Sequence, residues 1–393
     1  MKVPLAVPYW NAETYRAILR ALSTGSVVGG ADISRLRTSV IQTVGVADAL
    51  PCGSGSLALE IALRACAVGA GDEVVIPTFC CTAVVPPILA VGAIPVLADI
   101  GDELNLTAGT VEAALTKKTK AIIVPHLFGN PAEIEAIIGI AGNDIRVIDD
   151  AAQALGATID GKAVGGFGAA GILSFGSEKL CCGLGGGVFV SRSKDVFSES
   201  SKINLPAARW LPSLRALGAA LLWRRWRRWT LPLSSYFSSA APDAPPDPYR
   251  RESMANLNAA VAVSLMQTLG ENIAARRARD AAYRELLGAD ERLTLIAHRP
   301  GSACLSQVLR VMSRRRAEDT AATMIETLGA AGYEIQGSYV PIHLLPRYQQ
   351  FVRNPLSNAA RIWGDLIELP CEPSVSFAHV ERIAAIVKQT LNG

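Results

Sequence analysis

The chain has 393 residues, half of them hydrophobic, which is enough for a large and a small domain around a sizeable core and excludes a disordered chain. Its net charge of +3 hides one basic stretch, residues 205–230, with six arginines and no acid, so the rest of the chain is mildly acidic. Eight cysteines include the adjacent pairs Cys80-Cys81 and Cys181-Cys182 but no CxxC or Cys/His metal spacing, so reduced thiols in a cytoplasmic protein, and no metal, are expected.

The N-terminal MKVPLAVPYWNAET carries no apolar signal core, and secretion is not expected. Residues 1–30 read as an arm with one helix, Ala12–Leu22, ending near Gly25. From about Val46 to Val190 short apolar runs alternate with helical patterns. Strands are expected at Glu73–Phe79, Ile94–Ile100, Ala121–His126, Arg146–Asp150, Gly171–Phe175 and Gly187–Val190, with helices at Ser56–Val68, Val111–Leu115 and Ala132–Ala141. Apolar strands interleaved with helices indicate an α/β domain, residues 31–204, built on a mostly parallel sheet covered on both faces. A basic, Trp- and Arg-rich insertion, 205–250, separates it from a smaller α+β domain, 251–393. There one long helix, Ser253–Leu287, precedes a strand at Leu305–Met312, a helix at Ala317–Ala331, a strand at Tyr333–Val340 and a last helix at Ala378–Leu391.

Three places carry chemistry. Ser54-Gly55-Ser56 follows the strand-like run Val46–Leu50 and opens a helix, where backbone N–H groups and a small hydroxyl suit a phosphate. A plain helix cap explains most such sequences equally well. Asp150 ends an apolar strand, the position at which open parallel sheets bind ligands, and could hold a protonated pyridine nitrogen. A lone aspartate there is more often a cap or a solvated acid, the role assigned to Asp149 beside it. Lys179, 29 residues later in Ser174-Phe175-Gly176-Ser177-Glu178-Lys179, is followed by Gly183, Gly185, Gly186 and Gly187, which let backbone approach a ligand. A lysine able to form a Schiff base and an aspartate able to hold a pyridinium are the protein groups that pyridoxal phosphate (PLP) chemistry requires.

The ordered set resembles the DegT/DnrJ/EryC1/StrS sugar aminotransferases, PLP enzymes of fold type I. The resemblance runs through Ser54-Gly55-Ser56, Gly71 to Pro77, Val124-Pro125-His126-Leu127-Phe128-Gly129, Asp150 to Ala157 and Ser174 to Gly187. It resumes at Tyr339-Val340-Pro341-Ile342-His343-Leu344 and Glu368-Leu369-Pro370. It implies that Lys179 is the catalytic Schiff-base lysine, Asp150 the partner of the ring nitrogen and Gln153 a neighbour of the ring hydroxyl. Ser174 and the Gly55 and Ser56 amides would bind the phosphate. It also implies a homodimer with sites at the interface, an amino-acid donor (glutamate is expected) and a keto-sugar acceptor on a nucleotide or lipid carrier. His126, Tyr339 and His343 are candidate substrate contacts, whereas His298 and His379 are given no role.

Departures from the family pattern are equally specific. The family sets an aromatic ring over the cofactor where this chain has Cys81, which leaves Phe79 or the Cys81 thiol to cover that face. Gly186 stands in place of a usual glutamate. Arg251 aligns with an asparagine that reaches the partner subunit's phosphate, a task an arginine could perform. Retention of Lys179 argues against the family's dehydratase branch. A non-catalytic PLP-binding scaffold or regulator, and PLP chemistry on a non-sugar ketone, stay open as alternatives.

Trp223-Arg224-Arg225-Trp226-Arg227-Arg228-Trp229 repeats tryptophan every third place, so a helix would set the rings on one side and the arginines on the other. Rings flanked by arginines fit an interface with anionic lipid, which suggests a peripheral position on the inner membrane face or a lipid-linked substrate. An internal or dimer contact is the competing account. Nucleic acid is not expected, because no reading motif accompanies the charge.

Overall fold

The computed structural model describes residues 3, 5, 9–222, 249–312 and 317–392. Helix α1 (Ala12–Ser23) starts at a capping box between Asn11 and Thr14, and α2 (Ala31–Val44) buries Leu36, Val40 and Val44, one face at four-residue spacing. Then come β1 (Asp48–Cys52), α3 (Gly55–Ala65), β2 (Glu73–Pro77), α4 (Val85–Ala90), β3 (Ile94–Ala98), α5 (Ala108–Glu112), β4 (Thr119–Pro125), α6 (Ile134–Ala141) and β5 (Arg146–Asp150). A small hairpin, β6 (Thr158–Ile159) and β7 (Lys162–Ala163), leads to β8 (Ala170–Ser174), β9 (Gly187–Ser191), α7 (Lys194–Ser200) and a helix, α8, over residues 210–222.

The large sheet has seven strands in the order β1-β9-β8-β5-β4-β2-β3. Neighbours from β8 to β3 are parallel, and β9 alone runs against the two strands beside it. Every residue of β2 and β9 is buried, as expected of strands covered on both faces. Alternate residues feed opposite cores: Ala121 and Ile123 face the layer of α3 and α4, whereas Ile122 and Val124 face that of α6. Leu173, Val188 and Val190 join α2 and the helix α9 (Asn256–Met266) in a third cluster.

Beyond α9 lie α10 (Leu269–Leu287), β10 (Leu293–Leu295), β11 (Ser306–Val311), α11 (Ala317–Ala330), β12 (Gln336–Gly337), α12 (Ser357–Ile362), β13 (Leu366–Pro370) and α13 (Phe377–Asn392). Strands β10-β11-β13-β12 form an antiparallel sheet, so the α/β architecture with a smaller second sheet matches the expectation. All eight cysteines are free.

Several boundaries differ from the sequence reading, three of them for clear local reasons. The helix expected over 253–287 is two helices, because Thr268 leaves helical geometry (φ −110°, ψ 15°) and its hydroxyl bonds the Leu265 carbonyl. Helix α5 begins at Ala108 rather than Val111, because Thr107 and Thr110 form a capping box upstream. The strand expected over 333–340 contracts to Gln336–Gly337, since Glu334 N–H instead bonds the Val3 carbonyl and Tyr339 turns toward a cavity. The Trp/Arg run at 223–229 lies outside the described residues. Among the described residues no helix is long and apolar enough to cross a membrane.

Gly171 lies in β8, two strands from β4, and a Cβ there would sit 1.9 Å from the Gly165 carbonyl oxygen, a backbone atom that cannot swing away. Gly171→Ala should therefore cost about 3 kcal/mol, at the upper end for overpacking. Urea denaturation measures this, and a loss below about 0.5 kcal/mol would contradict the packing described.

Candidate active site

The C-terminal ends of β4, β5 and β8 and the N-terminus of α3 meet at a cleft of about 140 Å³. Ser54 is extended (φ −160°, ψ 160°), and its hydroxyl accepts from the Leu57 amide at 3.1 Å. Its side chain is thus the cap, while the first-turn amides of Gly55 and Ser56 have no carbonyl a turn behind them to bond. A Cβ on Gly55 would lie 3.1 Å from Ser174 Oγ, so the serine hydroxyl sits against the helix start. Gly187 lets β9 pass beneath: a Cβ there would come within 2.5 Å of the Ser54 carbonyl oxygen.

The two acids at the end of β5 have opposite fates. Asp149 is fully buried, takes His126 Nε2 on Oδ1 at 2.7 Å and the Phe167 amide on Oδ2 at 2.8 Å. His126 Nδ1 accepts from the Ala132 amide at 2.9 Å, which fixes Nε2 as the protonated nitrogen facing Asp149. Asp150 Oδ1 accepts from the Ala152 amide at 2.9 Å, and the carboxyl lines the cleft. Burial raises its pKa, while the Ala152 hydrogen bond and the charge of Lys179 pull the other way. A buried carboxyl held this way favours a cationic partner.

Gln153 anchors the next turn. Its Oε1 accepts from the Phe128 amide at 2.9 Å and its Nε2 donates to the Tyr339 hydroxyl at 2.9 Å. Phe128 itself has φ +56°, a strained value for a bulky residue that places its amide toward Gln153. Lys179 and Gln153 line the cleft and also a second, polar cavity of about 90 Å³ bounded by Glu178, Tyr339, Glu368, Arg276 and Glu372. Burial pushes the Glu368 carboxyl up to about 7, against hydrogen bonds from Gln336 and Ser338, and raises the Tyr339 phenol well above its usual value.

Other expected site residues lie elsewhere. Phe79 does not line the cleft: it is fully buried in a trio with Phe128 and Tyr339, ring centroids 6.0–6.4 Å apart, and Cys80 and Cys81 occupy the wall instead. Arg251 is taken by Glu60 of α3 through Nε at 2.9 Å and Nη2 at 2.7 Å, and does not line the cleft of its own chain. Burial opposes ionisation of Glu60, yet bonds from Tyr249, Arg251 and Arg64 hold its carboxyl below the usual range. His343 bonds the Thr78 hydroxyl at 2.7 Å and lines neither cavity, while His126 lines the cleft with both nitrogens already used. His126 therefore ties a strand end to a loop, and His343 is anchored through one nitrogen. Of the three candidate substrate contacts, His126 lines the cleft and Tyr339 the second cavity, whereas His343 lines neither. Gly186 has φ +117°, and a side chain there would meet the Met254 methyl at 2.3 Å.

The sequence profile described as "DegT/DnrJ/EryC1/StrS aminotransferase family" matches residues 8–388. This chain belongs to that family. Like other members it is an aminotransferase, with the large mixed sheet and smaller antiparallel sheet described above. It is 42% identical over 180 residues to the UDP-N-acetyl-3-dehydro-alpha-D-glucosamine 3-aminotransferase of Acidithiobacillus ferrooxidans, a match covering 45% of this chain and about half (49%) of that protein. It is 28% identical over 397 residues to the GDP-perosamine synthase of Caulobacter vibrioides, covering 99% of this chain and 98% of that one. The crystal structure of the aminotransferase TlmJ from Streptoalloteichus hindustanus superimposes with a TM-score of 0.83 at 22% identity, covering 100% of this chain and 99% of the other, a likeness of fold.

Sequence reasoning missed the buried neighbours that make this aminotransferase's site rigid. The His126–Asp149 pair spans 23 residues and Gln153–Tyr339 spans 186, so no short motif announces either. Glu368 was visible only as part of a motif, although a glutamate in an otherwise apolar strand, Leu366–Pro370, is itself a signal.

Because Glu368 is protonated to higher pH in the folded state than in the unfolded chain, it stabilises the fold least where it is ionised. Wild-type stability should fall, by an amount on the order of 3 kcal/mol, as pH rises from about 4.5 to about 7, and level off above. Glu368→Gln should remove that fall, so its stability relative to wild type should climb over the same window. Denaturation midpoints at several pH values check this, and parallel profiles for the two proteins would contradict it.

Proposed function

We propose that this aminotransferase moves an amino group from an amino acid, glutamate in the first instance, to a keto-sugar, using pyridoxal 5'-phosphate. The observation that carries the reading is the convergence of the Lys179 amine and the buried Asp150 carboxyl on one cleft at the start of α3. The residues present fit the cofactor. The first-turn amides of α3 with the Ser174 hydroxyl would hold its phosphate. Asp150 would hold the positive charge on its ring nitrogen, and that charge would favour the ionised carboxylate that burial disfavours. Gln153 would lie beside its ring hydroxyl, and Cys81 at the face where relatives carry an aromatic ring. Bound there, the cofactor supplies an electron sink for the pair left when a proton leaves the carbon bearing nitrogen.

The chain's own work is positioning and proton transfer. Lys179 Nζ is the base that takes the proton from the substrate carbon and returns one, since it borders both the cofactor cleft and the second cavity. Tyr339, braced by Gln153, would orient the substrate from the second cavity. The Asp149–His126 pair holds the end of β5 in place so that Asp150 stays aimed at the cleft. Nucleotide-linked acceptors are favoured over lipid-linked ones by the relatives named above, whose names specify UDP- and GDP-sugars. A homodimer accords with the family reading and would bring further residues to this cleft.

Borohydride reduction of the holoenzyme should leave the cofactor mass on the peptide containing Lys179. Lys179→Ala should lower turnover with glutamate and a nucleotide-linked keto-sugar by about 10²-fold or more. Label on a different lysine, or a variant within tenfold of wild type, would overturn the assignment.

A peripheral membrane contact is the finer part of the proposal. Helix α8 buries Ser213, Leu217 and Ala220 and leaves Trp210, Leu211, Leu221 and Leu222 exposed just before the Trp/Arg run. Anionic liposomes should retain the wild type in flotation and lose a variant with Trp223, Trp226 and Trp229 changed to alanine. Equal behaviour of the two proteins would refute the contact.

A further inference from the structure

A second cluster of reactive groups lies apart from the cofactor cleft. Asp280 on α10, with His298 and Cys304 on the loop from β10 to β11, brings a carboxylate oxygen, an imidazole nitrogen and a thiol sulfur all within 4.8 Å of one another. None of the three lines either cavity of the candidate active site. His298 Nδ1 is 3.0 Å from Cys304 Sγ. Asp280 is 8% exposed and Cys304 2%, so two of the donors are inside the protein.

Asp280 is half used. Its Oδ2 accepts from Arg284 Nε at 2.9 Å, whereas Oδ1 is buried with no hydrogen-bond partner among the described residues. A carboxylate oxygen left this way costs free energy unless something positive meets it. The neighbouring guanidinium groups have other partners. Arg276 bonds Asn272, the Leu305 carbonyl and Glu372, and Arg277 bonds the Ser302 carbonyl. Arg284 adds the Ile296 carbonyl to its bond with Oδ2.

The loop is preset around the three donors. Cys304 has φ +50°, which a residue with a side chain rarely adopts, and its amide bonds Ser302 Oγ at 3.1 Å. Ser302 Oγ in turn donates to the Gly129 carbonyl at 2.8 Å. Arg284 on Asp280 is the kind of outer partner that orients a metal ligand, whereas Ser302 Oγ, 3.0 Å from His298 Nδ1, would yield that nitrogen to the ion.

We infer that Asp280, His298 and Cys304 form a zinc site. One hard, one intermediate and one soft donor suit a tetrahedral zinc ion, with water in the fourth position. Donor pairs around such an ion stand about 3.5 Å apart, so the His298–Cys304 pair need open by only about half an ångström. On binding, the Cys304 S–H bond is replaced by a sulfur–zinc bond and the proton leaves to solvent, so the thiolate and the carboxylate together balance the dication. The loop carrying His298 and Cys304 also props the Phe128–Gly129 turn: the Ala303 amide bonds the Gly129 carbonyl at 2.8 Å and the Leu305 amide the Phe128 carbonyl at 2.9 Å. Zinc would thus clip α10 to the loop that supports the anchor of Gln153. The spacing of the three residues in sequence follows no metal motif, which is why the expectation of no metal arose.

The test uses the PLP-loaded protein, stripped with a chelator and then given zinc or Co(II). One zinc per chain should bind and raise the melting temperature. The Co(II) form should show a thiolate-to-cobalt charge-transfer band. Cys304→Ser should abolish that band, and Cys304→Ser and His298→Gln should each weaken zinc binding by about tenfold or more. Wild-type protein that takes up no metal, Co(II) binding without a thiolate band, or zinc binding unchanged in Cys304→Ser would each overturn the site. Should the variants fail to fold, the wild-type cobalt spectrum and the zinc-dependent melting shift decide by themselves. None of these readouts depends on turnover, so they stand or fall apart from the aminotransferase reading.

Discussion

Two carboxylates placed side by side inside a protein repel each other, and each loses the water that would stabilise its charge. At the end of β5 this chain resolves that difficulty by giving Asp149 two partners, His126 and the Phe167 amide, and leaving Asp150 with one, the Ala152 amide. A buried acid with a complete set of partners is fixed in place, while removing a partner from such a pair is strongly destabilising. Asp150 is therefore the member whose remaining demand faces the cleft, and its raised pKa expresses that demand. The chemistry of the site rests on this division of labour.

The same constraint spreads outward. His126 can serve Asp149 only because the Ala132 amide fills its other nitrogen, which fixes the loop after β4. That loop carries Phe128 at a strained φ, and its amide holds Gln153, which in turn holds Tyr339 from the far end of the sequence. A chain of hydrogen bonds thus joins the wall of the cleft to the second cavity, with Lys179 bordering both. Glu60 plays a comparable part on α3, gathering Arg64, Tyr249 and Arg251 at the helix that would face the phosphate. The arginine that the family comparison placed near a phosphate is, within its own chain, committed to that glutamate.

What could be read from sequence was what short stretches encode. Ser54-Gly55-Ser56, Asp150 and Lys179 each sit at the end of an apolar run, where a parallel sheet delivers its functional side chains, so the cleft and the fold class were legible. Distance along the chain hid the rest. Phe79 looked available to cover the cofactor because nothing local shows that Phe128 and Tyr339 enclose it. Arg251 looked free because Glu60 lies 191 residues away. Helix α2 was overlooked although Leu36, Val40 and Val44 mark its buried face, and the break between α9 and α10 turned on one threonine hydroxyl.

The central claim, that Asp149 holds the architecture and Asp150 holds the cofactor, is tested most directly by comparing Asp149→Asn with Asp150→Asn. PLP affinity and unfolding free energy should be measured for both. The account predicts that Asp150→Asn keeps nearly wild-type stability and loses cofactor affinity, whereas Asp149→Asn loses stability, by about 2 kcal/mol or more, and still binds PLP where it is folded. The reverse pattern, or equal losses of affinity in both variants, would contradict it.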